Sequence, residues 1–101
     1  MKFYYVYILH CADNSYYTGV TNNLEQRLAQ HQNAPKSFAY TSNRLPVKLV
    51  WHLQCTNPND AIAIEKQIKG WSRKKKKALI DENWEDLVKF SKNYSQFGRH
   101  Q

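Results

Sequence analysis

The sequence predicts an α+β fold, on three observations. Residues 3–9, Phe3-Tyr4-Tyr5-Val6-Tyr7-Ile8-Leu9, and residues 16–21, Tyr16-Tyr17-Thr18-Gly19-Val20-Thr21, are aromatic and β-branched runs separated by a short polar turn. Side chains of that kind suit a pleated, half-buried surface. A third run from Val47 alternates apolar with polar residues. Between and after these strands lie segments with helical spacing and recognisable helix starts.

The first strand is expected over residues 3–10. The turn Ala12-Asp13-Asn14 suits a three-residue hairpin with Asn14 in the left-handed region, which asparagine tolerates. Such a loop pairs Cys11 with Ser15, Leu9 with Tyr17 and Tyr7 with Gly19. Directly opposed residues share a face, so the Tyr7 and Tyr17 phenols point the same way. A loop one residue longer or shorter puts them on opposite faces. Asn22 followed by Glu25 resembles a capping box and starts a helix to about Asn33. Residues 34–45 are polar and irregular, with Pro35 and Pro46 bracketing an ordered loop that contains Tyr40, a candidate nucleic-acid contact. Residues 47–54 form the third strand, with Val47, Leu49, Trp51 and Leu53 alternating against Lys48, Val50 and His52. Asn57-Pro58-Asn59-Asp60 places proline just inside a first helical turn; this helix runs to Lys69, where Gly70 ends it. Ser72 caps a further helix through Ile80. A last helix over residues 84–91 turns Leu87, Val88 and Phe90 to the core. Residues 1–92 are expected to form one domain and residues 93–101 a frayed tail.

A chain of 101 residues has the length of one domain, and such a domain buries roughly 60–65% of its unfolded surface. Fifteen Lys and Arg oppose 8 Asp and Glu, for a formal net charge of +7. That balance draws polyanions through counterion release, although a merely soluble basic protein has the same arithmetic. The two cysteines, Cys11 and Cys55, lack metal-ligand spacing and read as free thiols in a reducing compartment. The apolar start ends at His10 with no small-residue cleavage site after it, and no run approaches the roughly 18 residues that span a bilayer. The expected location is cytoplasmic, away from membranes.

Three constellations carry chemistry. On the first helix, about 100° per residue puts Leu24, Arg27, Leu28 and His31 within one arc. Arg27 and His31 therefore lie on or beside the buried face, either as side chains snorkelling at a core edge or as a cation and a base aimed at the tyrosines. On the next helix Ala61, Ile62, Ile64, Ile68 and Trp71 span an apolar arc with Glu65 near its middle. A carboxylate there must be protonated, paired or metal-bound. Pairing with Arg27 is one solution; holding a hard divalent cation is the other, since Mg²⁺ is often held by one carboxylate plus substrate phosphates. The third is Lys66, Lys69 and the run Arg73-Lys74-Lys75-Lys76-Lys77. Lysines in a first helical turn oppose the macrodipole, and a phosphate backbone offsets that cost; a solvated charged face is the plainer alternative. Trp71 and Trp84 have spacings that suit core positions better than base stacking.

These residues resemble the GIY-YIG nuclease superfamily, and within it the small stand-alone bacterial branch. Tyr5-Val6-Tyr7 matches the first signature and Tyr17-Thr18-Gly19 the second, the first keeping only its terminal tyrosine. Arg27 matches the family's arginine, His31 the base four residues later and Glu65 the metal-binding glutamate, over roughly residues 3–90. The resemblance implies a three-stranded antiparallel sheet flanked by helices, and a metal-dependent DNA endonuclease of repair or recombination. By carry-over, Glu65 holds Mg²⁺ or Mn²⁺ and Arg27 stabilises charge on the phosphoryl group. Tyr7 orients water or phosphate, and Tyr17 or His31 takes the water's proton. Imidazole, titrating nearer neutrality than a phenol, favours His31 on intrinsic chemistry. Two positions depart from some relatives. Val20 stands where some carry lysine, and a lysine-rich stretch stands where others place an asparagine, so phosphate contacts are expected from Lys74 to Lys77 instead. No appended sequence-reading module is evident. A non-catalytic nucleic-acid-binding module on the same scaffold is the rival reading, with RNA as a possible ligand besides DNA.

Overall fold

The computed structural model describes residues 2–33, 41 and 44–88. The expectations placed on Tyr40, Phe90 and the tail at 93–101 lie outside the described residues. The chain divides into two compact units, Met1–Lys69 and Gly70–Gln101.

In the first unit, strands β1 (Tyr4–Cys11), β2 (Tyr16–Thr21) and β3 (Val47–Cys55) form one sheet in the order β2-β1-β3, antiparallel throughout. Helices α1 (Leu24–Asn33) and α2 (Pro58–Lys69) accompany it among the described residues. The fold is α+β, as the sequence predicts.

The hairpin forms in the expected register. Asn14 takes φ 71°, the Cys11 N–H donates to the Ser15 carbonyl at 2.9 Å, and Tyr7 faces Gly19 while Leu9 faces Tyr17. Successive residues alternate faces, so Tyr5, Tyr7, Leu9 and Cys11 share one face and Val6 and Ile8 the other. Tyr7, Leu9, Cys11 and Val47 form a buried cluster on which Leu24 and Leu28 of α1 pack, with Tyr17, Leu45 and Leu49 around it. Helix α2 packs against all three strands and buries Ala61, Glu65 and Ile68.

Three local expectations are corrected. The cap of α1 is Asn23, whose Oδ1 accepts from the Gln26 N–H at 3.0 Å, and not Asn22. Thr21 Oγ1 holds Asn23 in place by accepting its N–H at 3.1 Å, which starts the helix one residue later. In β3 the alternation breaks: Ile8 pairs with Trp51 but Leu9 with Leu49, leaving Val50 as a bulge. One extra residue reverses the phase, so Leu49 lies on the Tyr7 face while Trp51 and Leu53 lie on the Val6 face. On α2, Ile62 remains 42% exposed, outside the buried arc assigned to it. The helix ends at Lys69 as expected, but Gly70 does not use a left-handed φ to end it.

In the second unit, α3 (Arg73–Ile80) begins at Ser72, whose side chain accepts from the Lys75 N–H at 3.2 Å. It ends with the Glu82 N–H donating to the Leu79 carbonyl and the Asn83 N–H to that of Ala78, Glu82 taking the left-handed conformation. That pair of bonds is the Schellman closure, here with glutamate where glycine is usual. Residues 84–88 are helical. Trp84 and Val88 are more than half exposed, so neither takes the core position expected of it.

Candidate active site

Tyr7 is the centre of the site. Its ring lies over the residue opposite it: a Cβ built on Gly19 would stand 2.5 Å from the Tyr7 hydroxyl and 2.6 Å from Cζ. Only glycine leaves that space, which gives the last letter of Tyr17-Thr18-Gly19 a steric cause. The Tyr7 hydroxyl meets His31 Nε2 at 3.0 Å, and His31 Nδ1 meets Thr41 Oγ1 at 3.0 Å. Tyr7, His31 and Thr41 are all essentially fully buried. The Tyr17 ring closes the cluster, its centroid 6.3 Å from that of Tyr7 and 5.1 Å from the imidazole. The phenols thus share one face and flank one histidine.

Burial and charge set the proton states. Burial, reinforced by the neighbouring Tyr17, pushes the Tyr7 phenol up to about 12, against an opposing pull from Arg27. Burial, then the Arg27 guanidinium, pulls His31 down to about 4. At neutral pH the histidine is neutral, with one nitrogen donating and the other accepting. The expectation that His31 titrates near neutrality is therefore corrected: a fully enclosed imidazole, bonded at both nitrogens, does not meet a water directly. Tyr7 likewise presents no surface from which to orient one. Tyr17 is half-exposed and is the phenol of the pair that solvent reaches.

Arg27 and Glu65 approach from the two helices. Arg27 Nη1 reaches the carbonyl of Val20 on the edge strand β2 at 3.5 Å, and both Arg27 and Glu65 act electrostatically on Tyr7. Glu65 is 9% exposed. Its carboxylate pairs with Lys69 Nζ at 2.6 Å, one turn along α2. Its ion-pair partner among the described residues is thus Lys69, a third solution beside the Arg27 pair and the divalent cation weighed from sequence, since an i,i+4 lysine needs no displacement of either helix. The carboxylate raises the Lys69 pKa through the hydrogen bond and its charge.

The donor set bears on a metal in a specific way. Among the described residues no three His, Cys, Asp or Glu side chains gather as a ligand cluster. Glu65 contributes a hard oxygen donor. That chemistry fits Mg²⁺ or Mn²⁺ completed by water and substrate phosphate oxygens, and does not fit a cation caged by protein.

The basic residues divide. Lys66, Arg73, Lys74 and Lys77 are exposed, Lys76 is half-buried, and Lys69 is exposed beyond its pairing with Glu65. Lys77 pairs with Asp81 at 2.7 Å. Lys75 is 5% exposed, with Nζ 4.1 Å from the Trp71 ring centroid. It is corrected from phosphate contact to packing, because a helix 3.6 residues per turn cannot expose five consecutive side chains. Burial holds its pKa below the usual lysine range. Sequence reasoning missed Thr41, which sits in a polar stretch with no pattern to mark it. The steric role of Gly19 was within reach once Tyr7 was paired with it.

Comparison with known proteins matches this geometry to a family. The GIY-YIG catalytic domain matches residues 3–78. UPF0213 protein SH2523 of Staphylococcus haemolyticus is 45% identical over 82 residues, 81% of this chain and 99% of that protein. UPF0213 protein YsiG of Lactococcus lactis is 43% identical over 89 residues, 88% of this chain and 83% of that one. The solution NMR structure of UPF0213 protein BH0048 from Bacillus halodurans is similar with TM-score 0.53 and 35% identity, covering 88% of this chain and 97% of that one. GIY-YIG domains form a nuclease family, generally divalent-metal dependent and acting on DNA. Two phenols on one sheet face, a guanidinium and a carboxylate in electrostatic reach, and this match across most of the chain agree: the protein belongs to the GIY-YIG family, among its small UPF0213 members.

Proposed function

We propose that this protein is a divalent-metal-dependent DNA endonuclease that selects substrates by strand structure, in repair or recombination in the cytoplasm. The observation that carries the reading is the Tyr7–His31 hydrogen bond of 3.0 Å beneath Tyr17. It fixes one phenol, while the other, half-buried, packs against the same imidazole and lies in electrostatic reach of Lys69. Water attacks phosphorus, the new P–O bond forms as the bond to the leaving oxygen breaks, and the water's proton passes to the Tyr17 oxygen in its phenolate form, the phenol's own proton having left to solvent beforehand. The leaving oxygen takes a proton from solvent. Lys69 stands in electrostatic reach of Tyr17. Arg27 stabilises the charge gathering on the phosphoryl oxygens. Tyr7, His31 and Thr41 are positioning residues. Glu65 would hold the metal, which when bound supplies Lewis-acid charge at the phosphate. The exposed lysines are contacts to phosphate, which fix register without reading sequence. Cys11 and Cys55 are free thiols, in keeping with a reducing compartment.

The rival reading is a non-catalytic nucleic-acid-binding module, and one observation favours it: the Glu65 carboxylate is paired with Lys69. Nicking assays on branched, flapped, single-stranded and duplex DNA with Mg²⁺ or Mn²⁺ separate the two. The expected result is metal-dependent nicking of branched DNA, with Arg27→Ala slower by about 10²–10³-fold, as for loss of an oxyanion donor. Absence of nicking on every substrate hands the protein to the binding-module reading.

A further inference from the structure

Beside the tyrosine cluster lies a groove of about 280 Å³ lined by Tyr4, Val20, Thr21, Asn22, Arg27, Pro58 and Ile62. Its position follows from register. Val6 pairs with Val20 and Tyr5 with Thr21, so Tyr4 and Val20 share the face opposite Tyr7. The groove therefore lies along the end of the edge strand β2, with Tyr4 and Val20 on one side and Thr21 and Arg27 on the side of the phenols. Its walls combine an aromatic ring, two apolar side chains of α2 and an asparagine. Ile62 is 42% exposed, an isoleucine on the outside of a helix whose neighbours at Ala61 and Ile68 are buried. Asn22 is exposed, the cap of α1 being taken by Asn23. A cation next to an aromatic and apolar slot matches a nucleotide: the guanidinium meets phosphate, and the slot takes a flat base that stacks regardless of sequence.

We propose that this groove is a nucleobase subsite, holding the base next to the phosphate at Arg27 between Tyr4 and Ile62, with the Asn22 amide at the base edge. The subsite deepens the endonuclease reading and rests on Arg27 holding the phosphate that is cut. It makes the protein a reader of unpaired nucleotides, because a base stacked within a duplex cannot enter a slot.

NMR titration of the full chain, without metal and hence without turnover, tests the subsite. The probes are single-stranded pentathymidylate, the same pentamer lacking its central base, and a pentamer with central adenine. The intact strands are expected to shift the Tyr4 ring and Ile62 methyl signals, and the abasic strand to leave them nearly unmoved. Tyr4→Ala should weaken binding of the intact strand by about 5- to 150-fold, the range for losing one base–aromatic stack, while Tyr4→Phe binds as the wild type does. Equal shifts from the abasic strand, or unchanged affinity of Tyr4→Ala, overturn the proposal. A protein that nicks DNA while Tyr4 stays silent keeps its nuclease reading and loses the subsite. One that shows the shifts and never nicks keeps the subsite and loses the nuclease reading.

Discussion

At the scale of single residues, two groups are held in the neutral form by burial, and each ties stability to pH. His31 falls from 6.5 to about 4 in the folded chain, so between those values the unfolded chain binds more protons and stability rises with pH. Its contribution, about 3 kcal/mol at 1.36 kcal/mol per pH unit, is fully present above about pH 6.5 and lost as pH falls towards 4. Tyr7 behaves in the opposite sense. Its folded value of about 12 exceeds the ordinary 10, so its contribution is complete below pH 10 and lost as pH rises to 12. Urea unfolding measured from pH 4 to 11 should show a plateau between these windows. His31→Gln should flatten the acid limb, and an unchanged acid limb would assign it to other groups. Gly19→Ala tests the same cluster sterically. The new methyl meets an enclosed ring at 2.5 Å, and a fully packed tyrosine has no open space to turn into. The expected cost is about 1–3 kcal/mol, as for overpacking. Nicking should be lost with it, because the Tyr7 hydroxyl leaves His31. A variant with wild-type melting temperature and rate would show that the ring moves aside freely.

At the scale of elements, the hairpin, both long helices and the third strand are legible because each carries a local cause. Asn14 fixes a three-residue turn, the turn fixes the register, and the register puts Tyr7 and Tyr17 on one face. The β3 bulge is not legible, since Val47, Leu49, Trp51 and Leu53 alternate perfectly and only pairing with β1 reveals Val50 as the extra residue. The same holds for Thr41, whose value to the site lies in a bond to His31. Two adjacent asparagines offer equal caps to α1, and Thr21 decides between them. In α3 the run of cations hides its periodicity, because five like residues show no apolar stripe until one is seen to be buried. That gives a test. Each lysine that contacts phosphate adds about 0.9 to the slope of log affinity against log salt. Lys74→Ala should lower the slope by about 0.9, whereas Lys75→Ala should leave it unchanged and reduce stability instead, through the lost contact with Trp71. Equal slope changes for both would mean that Lys75 turns outward to DNA.

At the scale of the whole molecule, binding and cleavage draw on different charges and can be separated. The formal net charge of +7 is a property of the entire surface. It attracts a polyanion at a distance set by ionic strength, with no need of the site. In the proposed mechanism cleavage draws instead on one local carboxylate, that of Glu65. Glu65→Gln keeps the side chain's shape and removes one negative charge. Affinity for duplex DNA should therefore hold or rise slightly, and should rise more at low salt, where charges act over a longer range. Nicking with Mg²⁺ or Mn²⁺ should vanish. Lys69 loses the carboxylate that raises its pKa but stays cationic at neutral pH, so an exposed lysine at the site does not weaken binding. Affinity measured by fluorescence anisotropy, beside nicking on the same branched DNA, reads both effects at once. If Glu65→Gln nicks at the wild-type rate, the metal is held elsewhere. If both affinity and nicking collapse while the fold persists, the carboxylate positions the DNA itself, and the separation of binding from cleavage fails.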